Sequence, residues 1–569
     1  MPSFPSLRLF VALGLALSFP AVAQDPGPGF SGAYLAARHA GAENDYRAAA
    51  DYYTRALARD RDNPSLQESA LLANMGLGEF EAARPVARQM QGLGFDSQIA
   101  NMALLVGALN DEEYQTVIDG IDGDLSVGPL VDGLIRGWSL VGAGQVEAGM
   151  AAFDEASKTT GLTAFGLYHK ALALALAGDF EGAEIIFSGD GGAPLRLTRR
   201  GAFAHSQVLS QLGRNPAALE LIRTGWGTDL DSGLQALADR LAAGEKVPFT
   251  QIGSVQDGVA EVFYTVADAL EGEAADSYTL IYARAADYLR PGHVDAILLA
   301  AGLLEKQKQY DLATEAYNRV PAGDAGFPIA EIGRAAALSD AGKREAAIEV
   351  LQNLAKAHGG MPIVQITLGD SLRQADRFDE ASKAYDAAIA LFDKDEPGQW
   401  IVYYARGITH EREKRWDQAE ADFRKALDLN PGQPQVLNYL GYSFVEMERN
   451  LDEALAMIEQ AVREEPDSGY IIDSLGWAEF RLGRYDDAVI NLERAAQLMA
   501  VDPVVNDHLG DAYWAVGRRI EARFQWRRAL SFNPEPEEAG RIRRKLDIGL
   551  DQVLEDEGAE PLAIVDDRG

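Results

Sequence analysis

Small and large apolar positions recur along the last third of the chain at a fixed interval. Counting from Gly407, Ala419 follows at +12, Phe423 at +16, Ala426 at +19 and Pro431 at +24, and counting from Gly510, Ala522, Trp526, Ala529 and Pro534 fall at the same offsets. Gly476 heads the series through Ala488, Leu492 and Ala495 without the proline; Gly441 heads it through Ala454, Ile458, Ala461 and Pro466 with one residue inserted in the first gap. These glycines lie 34, 35 and 34 residues apart. Such a period, with apolar residues at helical spacing inside it, predicts a helix, a tight turn and a second helix per repeat. Leu440-Gly441, Leu475-Gly476 and Leu509-Gly510 set a large residue beside one with no side chain, so a neighbouring helix can come close and still find a leucine to bury. The alanines thin one face of the second helix, Phe423, Ile458, Leu492 and Trp526 fill the space between helices, and the prolines stop the second helix.

A single hairpin of this kind cannot bury its own apolar face, whereas stacked neighbours can, so the pattern predicts an all-α superhelix with a concave and a convex surface. Weaker copies continue upstream as an aromatic, a small and a large residue: Phe378, Ala381, Tyr385; Tyr310, Ala313, Tyr317; Phe180, Ala183, Phe187; Phe80, Ala83; Tyr46, Ala49, Tyr53. Between 225 and 258 the pattern lapses into segments with Pro and Gly but no repeat marks, which predicts a joint between a degenerate N-terminal array, 34–245, and a regular C-terminal one, 257–535. Residues 537–554 have helical periodicity with one polar face, as expected of a cap, and 536–569 is read as that helix and an acidic tail.

The pattern resembles the tetratricopeptide repeat family, with its W-x2-L-G-x2-Y…A-x3-F…P signature. Glu479 stands where an aromatic is expected, with Phe480 beside it. The run YIIDSLGWAEFRLGRYDDAV and the following VVNDHLGDAYWAVGRRIEARFQWRRAL are similar to exported repeat proteins of Gram-negative bacteria of alphaproteobacterial type. The resemblance implies a TPR-type α-solenoid in which the first helix of each repeat lines the groove, with the residues three before and one after the helix glycine facing inward. It thereby selects Tyr404 and Ile408, Asn438 and Tyr442, Asp473 and Trp477, and Asp507 and Asp511, with Phe480 and Trp514 four residues past their glycines. Aromatics there would anchor an extended peptide, Asn438 would pair with a peptide amide, and the three aspartates would meet Lys, Arg or a free amine. The alternatives are that Tyr442 and Trp477 pack on the next repeat, that Asp473 or Asp507 caps a helix, and that Arg412 and Arg481 neutralise part of the groove.

Residues 1–23 carry Arg8, an apolar run from Leu9 to about Phe19, and Ala21-Val22-Ala23, the layout of a cleavable signal peptide. A flexible mature N-terminus is then expected over 24–33, and export, most simply to the periplasm. No later run is apolar enough to span a membrane. Lys and Arg number 52 against 87 Asp and Glu, a formal charge of −35, which opposes non-specific binding to nucleic acid or anionic lipid and favours partners with basic segments. Cysteine is absent, which removes disulfides and thiolate chemistry.

Catalytic constellations fail by inspection. His410-Glu411 begins an H-E-x-x-H motif, but position 414 is Lys. Gly27, Gly29 and Gly32 form a G-x-G-x-x-G with no strand before it, and Asp119, Asp122 and Asp124 lack the glycine and terminal Glu of a calcium loop. No catalytic residue, metal or cofactor is expected. The leading reading is a non-enzymatic interaction scaffold in the cell envelope that binds peptide or protein segments in its groove. The alternatives are a structural subunit of an envelope, secretion or cytochrome-maturation complex, and a hydrolase in the N-terminal half, which clustered carboxylates around 190–260 would favour.

Overall fold

The computed structural model describes residues 30–123, 125–159, 161–189, 195, 197–227, 230–559 and 562, so the signal-peptide reading lies outside the described residues. Among them the chain forms 31 α-helices and no strand, an all-α stack of helical hairpins. No described helix is long and apolar enough to cross a membrane.

The second helices start where the aromatics predicted, as Tyr46–Leu57, Phe80–Gly92, Phe180–Ser188, Tyr310–Tyr317 and Phe378–Ile389. The glycines act by close approach. A Cβ on Gly407 would stand 2.6 Å from the Phe423 ring, and one on Gly510 would stand 2.4 Å from that of Trp526. The same sixteen-residue pairing holds upstream for Gly369 with Tyr385 and Gly137 with Phe153, at 2.6 and 2.5 Å. Ala419, Ala454, Ala488 and Ala522 are completely buried. The tight turn needs a left-handed residue, supplied by Gly483 and Gly517 in two repeats and by Lys414 in the Gly407 repeat. The helices that end at Leu429, Glu464 and Ser531 stop just short of Pro431, Pro466 and Pro534.

The chain divides into two compact units, 1–341 and 342–569. Unit 1 departs from a simple solenoid. Its helices Val255–Leu270 and Asp276–Leu289 do not start a second array; they pack back on the first helices Pro64–Leu77, Gln98–Asn110, Pro129–Gly142 and Thr163–Leu176. Gly258 lies flat on Trp138, where a Cβ would meet the indole at 2.6 Å. Around that contact the Tyr168 hydroxyl donates to Glu261 at 2.9 Å and the Trp138 indole N–H donates to His169 Nδ1 at 3.1 Å. One core therefore runs from Tyr46 to Ala337, across the segment predicted as a joint. The expected boundary near 225–258 is corrected to 341/342. The stretch without repeat marks is a connector pinned by buried Val247 and Ile252, not a domain linker.

In unit 2 the predicted cap is two helices, Pro536–Ile548 and Leu550–Glu557. They part at Gly549, whose φ of +87° only glycine adopts freely and whose bare α-carbon admits the Trp514 ring. At the other end, the first helix is Phe30–Ala42, so residues 30–33 are helical rather than part of a flexible N-terminus; Ala33, Ala37 and Ala40 are its buried stripe.

Candidate peptide-binding face

In unit 2 the first helices Trp400–Arg412, Pro434–Glu446, Gly469–Arg481 and Pro503–Ala515 carry all ten groove residues selected from the sequence. The structure sorts them into two sets. Over the last two repeats they are consumed by the fold. The ammonium of Lys545, from the first cap helix, is fully buried and donates to Asp507 and Asp511 at 2.7 Å each. Asp511 also accepts the Trp526 indole N–H at 2.9 Å. Burial raises the Asp507 pKa, with Lys545 pulling the other way. Trp514 donates to Asp551 at 3.0 Å and is covered by the Arg519 guanidinium, 3.8 Å from its ring centre. Asp473 is buried against His508 Nδ1 at 3.0 Å, and Trp477 stacks between His508 and Phe480, with centroids 4.1 and 5.0 Å away. Burial alone would lower the His508 pKa, but Asp473, with Asp507 and Asp511 behind it, holds it above the ordinary value. The expectation that Asp473, Asp507 and Asp511 meet a partner's cations is thus corrected: they meet His508 and Lys545, because the stack continues one helix pair past the last repeat.

Of the other set, Tyr404 and Tyr442 stay partly exposed, whereas Asn438 does not. Tyr404 packs edge-on to Tyr439, and burial pushes its phenol up to about 12. Tyr442 is half-buried on the wall of a cleft of about 320 Å³, together with Trp416, Tyr439, Tyr470, Glu411 and Glu446. Burial first, and Glu446 second, raise the Tyr442 pKa. Tyr439 donates to Glu411 at 3.1 Å and the Trp477 indole donates to Glu446 at 2.7 Å, which fixes both carboxylates at the cleft. One turn before Tyr442, Asn438 is fully buried and outside the cleft's lining, so the expectation that it pairs with a peptide amide is corrected; its amide makes no well-formed hydrogen bond, with the Tyr470 phenol close by. An orphaned buried amide costs about 1–3 kcal/mol. Of the two basic residues, Arg412 lines the cleft and Arg481 is turned to Glu448.

Sequence reasoning missed Tyr470, Glu411 and Glu446. A signal for Tyr470 was present: it sits six residues before Gly476, and Ile363, Ile401 and Val504 hold that place before Gly369, Gly407 and Gly510. All four are exposed, an apolar position at the start of four first helices that is interrupted by Gln435 before Gly441.

In unit 1 a cavity of about 620 Å³ includes Arg199, Arg200, Asp231, His293 and Asp295 in its wall. Carboxylates do gather there, and most are paired: Arg199 with Asp231 at 2.7 Å, Arg200 with Asp295 and with fully buried Glu261 at 2.5 Å, while Asp324 accepts the Gly326 backbone N–H at 2.7 Å. Burial opposes ionisation of Glu261, yet Arg200 and His293 outweigh it and hold the carboxyl well below its usual range. Among the described residues no group of three His, Asp or Glu could hold a metal ion.

The tetratricopeptide repeat family matches residues 34–94, 366–434 and 440–502. A TPR repeat-containing protein of Pseudomonas aeruginosa is 30% identical over 223 residues, covering 38% of this chain and 36% of that protein, so the chain matches about a third of that relative's length. Among solved structures, the Cut9–Hcn1 hetero-tetramer of APC/C aligns over 92% of this chain and 96% of its own at 15% identity and a TM-score of 0.37. A tetratricopeptide repeat protein from Parabacteroides merdae aligns over 45% and 97% at 15% identity and a TM-score of 0.37. YrrB, a TPR protein with an unusual peptide-binding site, aligns over 35% and 99% at 19% identity and a TM-score of 0.28.

Proposed function

Because this chain carries tetratricopeptide repeats and is thereby a protein-interaction scaffold, we propose that it holds an extended, basic segment of a partner protein on the first-helix face of unit 2, and does so in the periplasm without catalysing a reaction. The observation that carries this reading is the cleft at Tyr442. Tyrosine and tryptophan walls and two fixed carboxylates meet in one place. A lysine or arginine entering between Glu411 and Glu446 would be faced by charge and by aromatic rings at once. Unit 1 supports the choice of face, since its own helices cover its first helices. The signal-like residues 1–23 support the compartment.

The hydrolase reading loses its motivating feature, because a carboxyl held ionised by an arginine is poorly placed to give up a proton near neutral pH. The test is fluorescence anisotropy with labelled peptides of equal length, basic or acidic. Basic peptides should bind preferentially, and E411Q/E446Q should erase the preference. Equal binding of both peptide classes, or an unchanged preference in the variant, would count against the cleft.

A further inference from the structure

The chain's charge is not evenly spread. Residues 518–545 hold nine Lys and Arg against four Glu, in a polypeptide of formal charge −35, and of these Arg519, Arg541 and Arg544 are answered by Asp551, Glu557 and Asp556 of the last helix. Several of the other cations have no carboxylate to answer them. Arg523 donates to the Leu546 carbonyl and Arg528 to that of Ala500, while exposed Arg527 and Arg543 make no ion pair or hydrogen bond among the described residues. The helix Arg519–Ser531 adds a second anomaly. Its inner face is the repeat's Ala522, Trp526 and Ala529, all completely buried. The opposite stripe should be polar, yet it presents Ile520 and Phe524, one turn apart and 83% and 62% exposed, followed by Arg527.

We propose that this outward stripe of Arg519–Ser531 docks on an anionic lipid surface, with Ile520 and Phe524 entering the acyl boundary and Arg527 meeting headgroup phosphates. The apolar side chains protrude rather than line a groove, which suits a fluid surface that closes round them and not a partner pocket that would have to be preformed. Arginine stems can lie along the apolar layer while the guanidinium stays at phosphate level. The acidic remainder of the chain does not forbid it, because screening confines surface attraction and repulsion to about 8 Å at physiological salt, and within that layer the local charge decides. This docking is independent of the cleft reading, since none of its residues lines that cleft.

The experiment is flotation of the full chain with phosphatidylcholine vesicles, with and without phosphatidylglycerol, at low and high salt. The protein should float with the anionic vesicles alone, and less at high salt. Each arginine near such a surface contributes a factor of about five in partitioning, so R527E should lose at least that much; I520S/F524S should lose about tenfold. All three residues are exposed, so circular dichroism should show the fold intact. No flotation at low salt, or flotation unchanged in both variants, would overturn the proposal. So would two substitute results: retention on duplex DNA indifferent to I520S/F524S, which marks a general polyanion site, or capture by a synthetic Glu/Leu peptide without vesicle binding, which marks an acidic protein partner.

Discussion

Lys545→Met is the sharpest probe of how the last repeat is closed. The ammonium is fully buried and bonded to two aspartates, of which Asp511 is equally buried. Removing it leaves Asp511 with the Trp526 indole and with Arg541 at 3.7 Å, and leaves Asp507, already with one unpartnered oxygen, without its cation. Breaking a buried pair from one side costs about 3–5 kcal/mol, and Arg541 should hold the loss near the lower end, about 3 kcal/mol. Because repeat arrays open locally, the measurement is amide hydrogen exchange of the helices Pro503–Ala515 and Pro536–Ile548, which should speed up on the order of a hundredfold while the Trp400–Arg412 helix is unmoved. The triple variant K545M/D507N/D511N should recover most of the protection, because neutral amides leave no stranded charge. A pH arm fixes the sign. Asp507 has a raised pKa when folded, so the folded state holds that proton more tightly and stability falls as pH rises through the folded value. Without Lys545 that value rises further, and the deficit should be largest at neutral pH and shrink in acid. Exchange within threefold of the parent at neutral pH would refute the claim that this ammonium holds the cap.

Three further outcomes are expected. Gly510→Ala drives a Cβ into the Trp526 ring and should cost about 1–3 kcal/mol in urea unfolding, with W526L relieving part of it. His508 has a raised folded pKa, so its pairing with Asp473 stabilises fully below the ordinary value of 6.5 and is lost as pH rises through the folded value; NMR titration should show this, H508Q should flatten the urea midpoint across that window, and D473N should bring the imidazole pKa down. In unit 1, Arg200→Met strands the buried Glu261 carboxylate and should cost about 3–5 kcal/mol, read by thermal unfolding; a loss under 1 kcal/mol would mean the neighbouring His293 suffices.

The repeat unit was legible because its signal is local. Gly407 and Phe423 lie sixteen residues apart and touch, so spacing alone reports the contact, and the aromatics at 46, 80, 180, 310 and 378 mark helix starts in the same way. The groove was half legible. Position relative to the glycine places Asn438, Tyr442, Asp473 and Asp507 on first helices, but whether such a residue faces a partner depends on what the chain adds next. Lys545 reads as one basic residue among several in RIRRKL, and nothing in the sequence says that it alone turns inward. Average charge misled in the same manner, since −35 over the whole chain conceals an arginine-rich last repeat.

Unit 1 shows the deeper limit of a repeat period. A period records what each hairpin does to its neighbours and is silent about contacts between hairpins far apart. Val255–Leu270 reaches three first helices far back in the chain, and the fit depends on single features such as the bare α-carbon of Gly258 against Trp138 and the Tyr168 hydroxyl on Glu261, 93 residues away. Those residues read as ordinary helix in sequence. Their effect is functional as well as structural: helices that would otherwise offer a first-helix face to a ligand are buried in one core, while unit 2, in which every hairpin meets its sequence neighbours, keeps the Tyr442 cleft at its surface. Gly258→Leu tests the connection directly. A side chain forced against the indole should loosen Val255–Leu270 and raise its hydrogen exchange and that of Pro129–Gly142 together, leaving basic-peptide binding at the cleft of unit 2 unchanged. If peptide binding instead moves to unit 1 in this variant, the covering helices are what denies that face to a partner; if the two helices keep their protection, the packing at Gly258 is not what holds them.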